Sequence, residues 1–162
     1  RMPELIRVKM SDIEYGATPD VLVTLGLGSC VGVCVYDPLL RIGGMAHIML
    51  PDSRLARGVV TRGKFADTAI PDLVGRLNEK GALKTRLIVK MAGGSQMFAM
   101  FGQEDRLLIG PRNIEAVERT IAKLGLRLTG RDVGGYSGRT VYFDLATGAM
   151  TVKTLTGTEI NL

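Results

Sequence analysis

Three short apolar runs follow one another early in this chain, and each is cut off by residues that end a strand. Val21 to Leu25 stops at Gly26 and Gly28, Cys30 to Tyr36 stops at Asp37-Pro38, and Ile42 to Leu50 returns beyond that turn. Short apolar runs bounded by Gly and Asp-Pro, the first of them with two valines, are strands rather than helices. Helical periodicity comes later. From Lys64 to Lys80, apolar residues recur at Ala66, Ala69, Ile70, Leu73, Val74 and Leu77, with Gly81 as a C-terminal stop. Pro71 interrupts that pattern and predicts either a start near Ile70 or a kink there. Asn113 is placed to cap a second helix, with Ile114, Val117, Ile121 and Leu124 on one face and Gly125 as its stop. Strands are expected at Thr85 to Ala92, Leu126 to Thr129, Thr140 to Leu145 and Met150 to Leu155, the last two joined as a hairpin through Ala146-Thr147-Gly148. Many strands with two good helices make a mixed α/β fold. No repeat, low-complexity stretch or linker divides residues 1–162, so a single domain is expected.

Composition narrows the functional classes. Hydrophobic residues make up 46% of the 162 residues, enough for a real core. The net charge of +5 is carried by scattered lysines and arginines, tryptophan is absent and aromatics are only 5%. That is not the basic stripe with stacking aromatics of a nucleic-acid binder, and an acidic protein partner is the better use of the charge. No apolar run is long enough to span a bilayer, so no membrane insertion is expected. Two cysteines without a secretory pattern argue for free thiols in a cytoplasmic protein.

The chain has one histidine, His47, downstream of the Gly28-Ser29-Cys30 turn. A thiol and an imidazole are the minimum kit for cysteine-based acyl chemistry, and only one imidazole is on offer. If the two meet, the imidazole takes the thiol proton, the sulfur attacks an acyl carbon, and the imidazolium protonates the leaving group. Glycines before Cys30 would let substrate approach the backbone and its N–H groups. A third group should orient the imidazole, and the Thr24 hydroxyl stands upstream on the preceding strand. Plainer readings stand beside these. Free cysteines often pack as small hydrophobes, as Cys34 between Val33 and Val35 is expected to do, and threonine is common in strands. At strand rise, Cys30 and Cys34 lie ~13 Å apart, too far for a disulfide or for a shared zinc with His47.

Six ordered blocks carry a more specific signal. They are Thr24-Leu-Gly-Leu-Gly-Ser-Cys30, Met45-Ala46-His47-Ile-Met-Leu-Pro51, Gly63-Lys-Phe-Ala-Asp-Thr68, Ala92-Gly-Gly-Ser-Gln-Met-Phe98, Ile109-Gly-Pro-Arg-Asn113 and Gly134-Gly-Tyr-Ser-Gly-Arg139. Together they resemble the CheD family of chemoreceptor glutamine deamidases, from about Gly16 to Leu155. The resemblance implies Cys30 as nucleophile, His47 as general base and acid, and Thr24 as third member of a triad. It implies hydrolysis of selected glutamine side chains on receptor cytoplasmic helices, giving glutamate and ammonia through a thioester. It also implies packed mixed sheets flanked by helices, similar to the deamidase toxins of the cytotoxic necrotizing factor type. No metal or organic cofactor is implied. Members of the family also bind CheC-type phosphatases of the chemotaxis response regulator, so the alternative is a docking module for such a partner. Phe98 and the Gly93-Gly94-Ser95-Gln96 loop either border the site or form a Gly-rich turn with a core aromatic.

Overall fold

The computed structural model describes residues 1–97 and 107–162. Among these, ten strands and two α-helices build three layers. The first sheet has the order β1-β3-β8-β9-β10, from Leu5–Arg7, Val21–Leu27, Arg139–Asp144, Met150–Thr154 and Glu159–Asn161. The second has the order β2-β5-β4-β6-β7, from Ile13–Ala17, Ile42–Ile48, Val31–Asp37, Ile88–Gly93 and Arg127–Val133. Both sheets are mixed: β1 runs parallel to β3 and β6 parallel to β7, while the other pairs are antiparallel. The helices α1 (Ala66–Glu79) and α2 (Ile109–Lys123) cover the outer face of the second sheet. The expected α/β class with packed mixed sheets and flanking helices is what the chain adopts.

Strand β4 shows why the early apolar runs read as they do. All seven of its residues are buried, because this central strand has neighbours on both faces. Val31, Val33 and Val35 point to the helix layer, where they meet Ile70, Leu73 and Val117. Cys34 and Tyr36, with Cys30 just ahead of the strand, point to the other sheet and meet Leu22, Leu27, Val141 and Phe143. The period-two alternation of a strand thus sorts one apolar run into two cores.

Several boundaries differ from the sequence reading. Helix α1 starts at Ala66 with Pro71 inside it, not near Ile70. Its buried stripe of Ala66, Ala69, Ile70, Leu73, Val74 and Leu77 runs across the proline, so burial outweighs the missing N–H. Helix α2 starts four residues before Asn113, which is therefore not its cap. Pro111 is tolerated because the first turn has no hydrogen-bond acceptor for its N–H. Residues Lys84–Arg86 form a 3₁₀ turn, so β6 begins only at Ile88. The β8–β9 hairpin forms as expected, whereas β1, β2 and β10 went unread. Among the described residues, no helix is long and apolar enough to cross a membrane.

Candidate active site

Strand pairing brings the thiol and the imidazole together. Gly32 on β4 lies opposite His47 on β5, and Cys30 stands two residues before Gly32 on the same face. The two side chains are therefore diagonal neighbours across adjacent strands, a spacing that such side chains can bridge. Gly32 is closely packed between them: a Cβ there would come within 3.2 Å of Leu27 and 3.6 Å of Thr24.

Thr24 reaches the same place from the other sheet. Its Oγ1 lies 2.7 Å from His47 Nδ1 and 2.7 Å from the carbonyl oxygen of Val8. A hydroxyl has one proton, and the Val8 carbonyl can only accept it. Thr24 must then accept from the imidazole, which puts the ring proton on Nδ1 and leaves a lone pair on Nε2. Thr24 is fully buried and His47 is 1% exposed. Among the described residues nothing reaches Nε2. The imidazole is held at one nitrogen and available as a base at the other.

Burial sets the resting charge state. It pushes the Cys30 thiol above its ordinary pKa. It pulls the His47 imidazole below its ordinary 6.5, with the Asp12 carboxylate pulling weakly the other way. Both shifts favour the uncharged forms. Both groups are thereby biased toward a thiol beside a neutral imidazole, not the thiolate–imidazolium pair expected from the residue types. Cys34 is fully buried in the inter-sheet core, with its thiol raised well above the ordinary range, as expected of a packing residue. Both cysteines are free, and among the described residues no cluster of His, Cys, Asp and Glu could hold a metal ion.

The turn that carries Cys30 is tied from three sides. The Gly94 N–H donates to the Cys30 carbonyl at 2.9 Å and the Ser95 N–H to the Gly28 carbonyl at 2.8 Å. Gly93 has φ +117, and a Cβ there would run into the Cys30 carbonyl oxygen, so only glycine fits this approach. The Gly93 to Gln96 loop therefore borders the site, while Phe98 lies outside the described residues. Ser95 donates to the Ser137 carbonyl at 2.6 Å and accepts from Arg139 Nη1 at 2.8 Å. Arg139, 8% exposed, is in turn paired with Asp132 at 3.0 Å. Asn113, fully buried in α2, donates from Nδ2 to the Ser29 and Met49 carbonyls, each at 2.9 Å. Sequence reasoning gave Ser95 and Arg139 no individual role and gave Asn113 the wrong one. The signal available for Asn113 was its spacing: it falls on the buried stripe Gly110, Asn113, Ala116, Val117, Ile121.

The family model described as CheD chemotactic sensory transduction matches residues 49–154. A protein of Desulfitobacterium hafniense named "Probable chemoreceptor glutamine deamidase CheD" is 47% identical, covering 95% of this chain and 96% of its own. The chain belongs to the CheD family. A second relative with that printed name, from Moorella thermoacetica, is 46% identical over 94% of this chain and 92% of its own. The "Chemoreceptor glutamine deamidase CheD" of Halalkalibacterium halodurans is 42% identical over 95% of this chain and 96% of its own. The stretch matched by the CheD family model takes in Ser95, Asn113 and Arg139 and begins after Thr24, Cys30 and His47.

Proposed function

We propose that this CheD family member hydrolyses glutamine side chains on the cytoplasmic helices of chemoreceptors, with Cys30, His47 and Thr24 as its triad. The observation that carries the reading is the Thr24–His47 hydrogen bond, which fixes the imidazole with Nε2 as the basic nitrogen on the Cys30 side of the sheet. The relatives' names supply the substrate class.

The steps balance as follows. His47 Nε2 takes the thiol proton as Cys30 Sγ bonds to the carboxamide carbon. Backbone N–H groups of the glycine-rich turn suit the developing oxyanion. The tetrahedral adduct collapses as the C–N bond breaks, and Nε2–H delivers its proton to the departing nitrogen, releasing ammonia. Water then adds to the thioester, giving a proton to Nε2. The C–S bond breaks, the γ-carboxylic acid leaves and ionises to glutamate with its proton taken up by the released ammonia, and the Nε2 proton returns to Cys30 sulfur. No step calls for a cofactor.

The reading extends to three further points. Residues 1–162 act as one deamidase domain, supported by one core between the second sheet and the helices and another between the sheets, and a chemoreceptor substrate reached at its cytoplasmic helices places that domain in the cytoplasm. A nucleophile ahead of one strand with its histidine on the adjacent strand, in packed mixed sheets, supports likeness to the cytotoxic necrotizing factor type of deamidase. The test is incubation with a glutamine-containing chemoreceptor cytoplasmic fragment, following ammonia release and the amide-to-acid mass change by peptide mapping. Conversion is expected at discrete glutamines. A folded, bound fragment left unconverted would overturn the deamidase reading in favour of docking on a CheC-type phosphatase.

Thr24→Ala is expected to lower turnover less than loss of the thiol or imidazole does, by roughly 10-fold to 100-fold. The hydroxyl makes no bond to substrate, and an imidazole with freed orientation still samples the productive tautomer. Comparing kcat for Thr24→Ala and Cys30→Ala on one fragment checks this; equal losses would contradict an orienting role.

A further inference from the structure

Asn113 has the geometry of a clamp on both halves of the site. Its Nδ2 carries two protons, and both are used: one on the Ser29 carbonyl, the peptide unit that leads into Cys30, the other on the Met49 carbonyl, two residues beyond His47. The facing groups are both acceptors, so the amide orientation is settled by its partners. The first loop precedes β4 and the second follows β5, and Asn113 reaches both from a third element, α2. Among the described residues its buried Oδ1 has no partner. A buried acceptor left unpaired is costly, and an apolar residue would fill this stripe position of α2 as its neighbours Ala116 and Val117 do. The donors, not overall hydrogen-bond satisfaction, account for an asparagine here.

We infer that Asn113 is a positioning residue for the Cys30–His47 pair, fixing the nucleophile turn against the end of the histidine strand through the Ser29 and Met49 carbonyls. The inference rests on the deamidase reading for its consequence in turnover, but not for its consequence in thiol reactivity. Displacing one reactive group from the other by about 1 Å costs on the order of 10²-fold in rate. Asn113 is fully buried, so substrate binding should hardly change.

The experiment compares Asn113→Leu, which keeps the branched shape and removes both donors, with wild type. Thr120→Ala, which removes a hydrogen bond to the Ala116 carbonyl on the same helix, serves as control. With the folded fraction measured by circular dichroism, Asn113→Leu is expected to lose on the order of 10²-fold in kcat, with KM changed less than about twofold. Its Cys30 alkylation by iodoacetamide should change in rate and in pH dependence, while Thr120→Ala follows wild type in both. Wild-type kcat and pH dependence in folded Asn113→Leu would overturn the inference, as would a loss in Thr120→Ala of the same size. Should Asn113→Leu fail to fold, Asn113→Ser keeps one donor and undergoes the same comparison, with an intermediate loss expected and none overturning the clamp. If wild type releases no Cys30-dependent ammonia, the deamidase reading falls. The clamp is then judged on alkylation alone, where an unchanged Asn113→Leu profile overturns it and a changed one upholds it.

Discussion

Cys30→Ala is expected to take ammonia release from the receptor fragment to background while the protein stays folded. No other group can replace the sulfur. The second thiol, Cys34, is sealed between the sheets with its proton held well above the ordinary range. It lies four residues further along the same face, about 13 Å away at strand rise. The fold should tolerate the change: alanine keeps the Cβ, and the loss of one buried sulfur costs roughly 1 kcal/mol. Peptide mapping of the fragment after incubation with folded Cys30→Ala checks the expectation, and turnover near wild type would remove Cys30 from the reaction.

Loss of the imidazole should come close behind. His47→Ala is expected to lower kcat by ~10²–10⁴-fold, the range for a positioned general acid–base, because the chain has no second histidine. The neutral resting pair also sets the form of the pH dependence. Acid protonates Nε2 and removes the lone pair, so wild-type rate should fall with falling pH, with a midpoint below the ordinary imidazole value of 6.5. Because the Cys30 thiol is raised, its direct alkylation should still be climbing above pH 9. A preformed ion pair would instead plateau in acid. Stability follows the same sign. The unfolded imidazole takes a proton near 6.5 and the folded one only lower, so between those values the unfolded state binds more protons. Stability should fall as pH drops from 6.5 toward the folded pKa, and denaturant melts across that range check it. His47→Ala should flatten that part of the curve.

How much of this could be read from the residues follows from what each signal reports. Apolar runs with Gly and Asp-Pro stops mark strands through their own composition, so β3, β4, β5 and the β8–β9 hairpin were legible. Strands β1 and β10 are three residues each and partly exposed, and they exist because an edge is there to pair with. A local pattern holds no record of that edge. The thiol and the imidazole stood out because residues of their kind are scarce in this chain. Asn113 did not, since an asparagine ahead of an apolar stripe has the composition of a cap. Only the starting point of α2, set by the packing of Gly110 against the Gly94 and Ser95 carbonyls, shows that the residue is already inside the helix. Arg139 and Ser95 meet across a sequence separation of 44 residues. Their bond depends on the sheets having closed.

The Thr24–His47 bond joins residues of different sheets, with Thr24 on β3 of one and His47 on β5 of the other. The imidazole proposed as the base is therefore aimed by the way two layers sit on each other, not by either layer alone. A slip between layers too small to expose either core would turn the ring and silence the chemistry while every strand kept its partners. On the proposed mechanism, catalytic competence is a property of the stack and requires both layers to be docked.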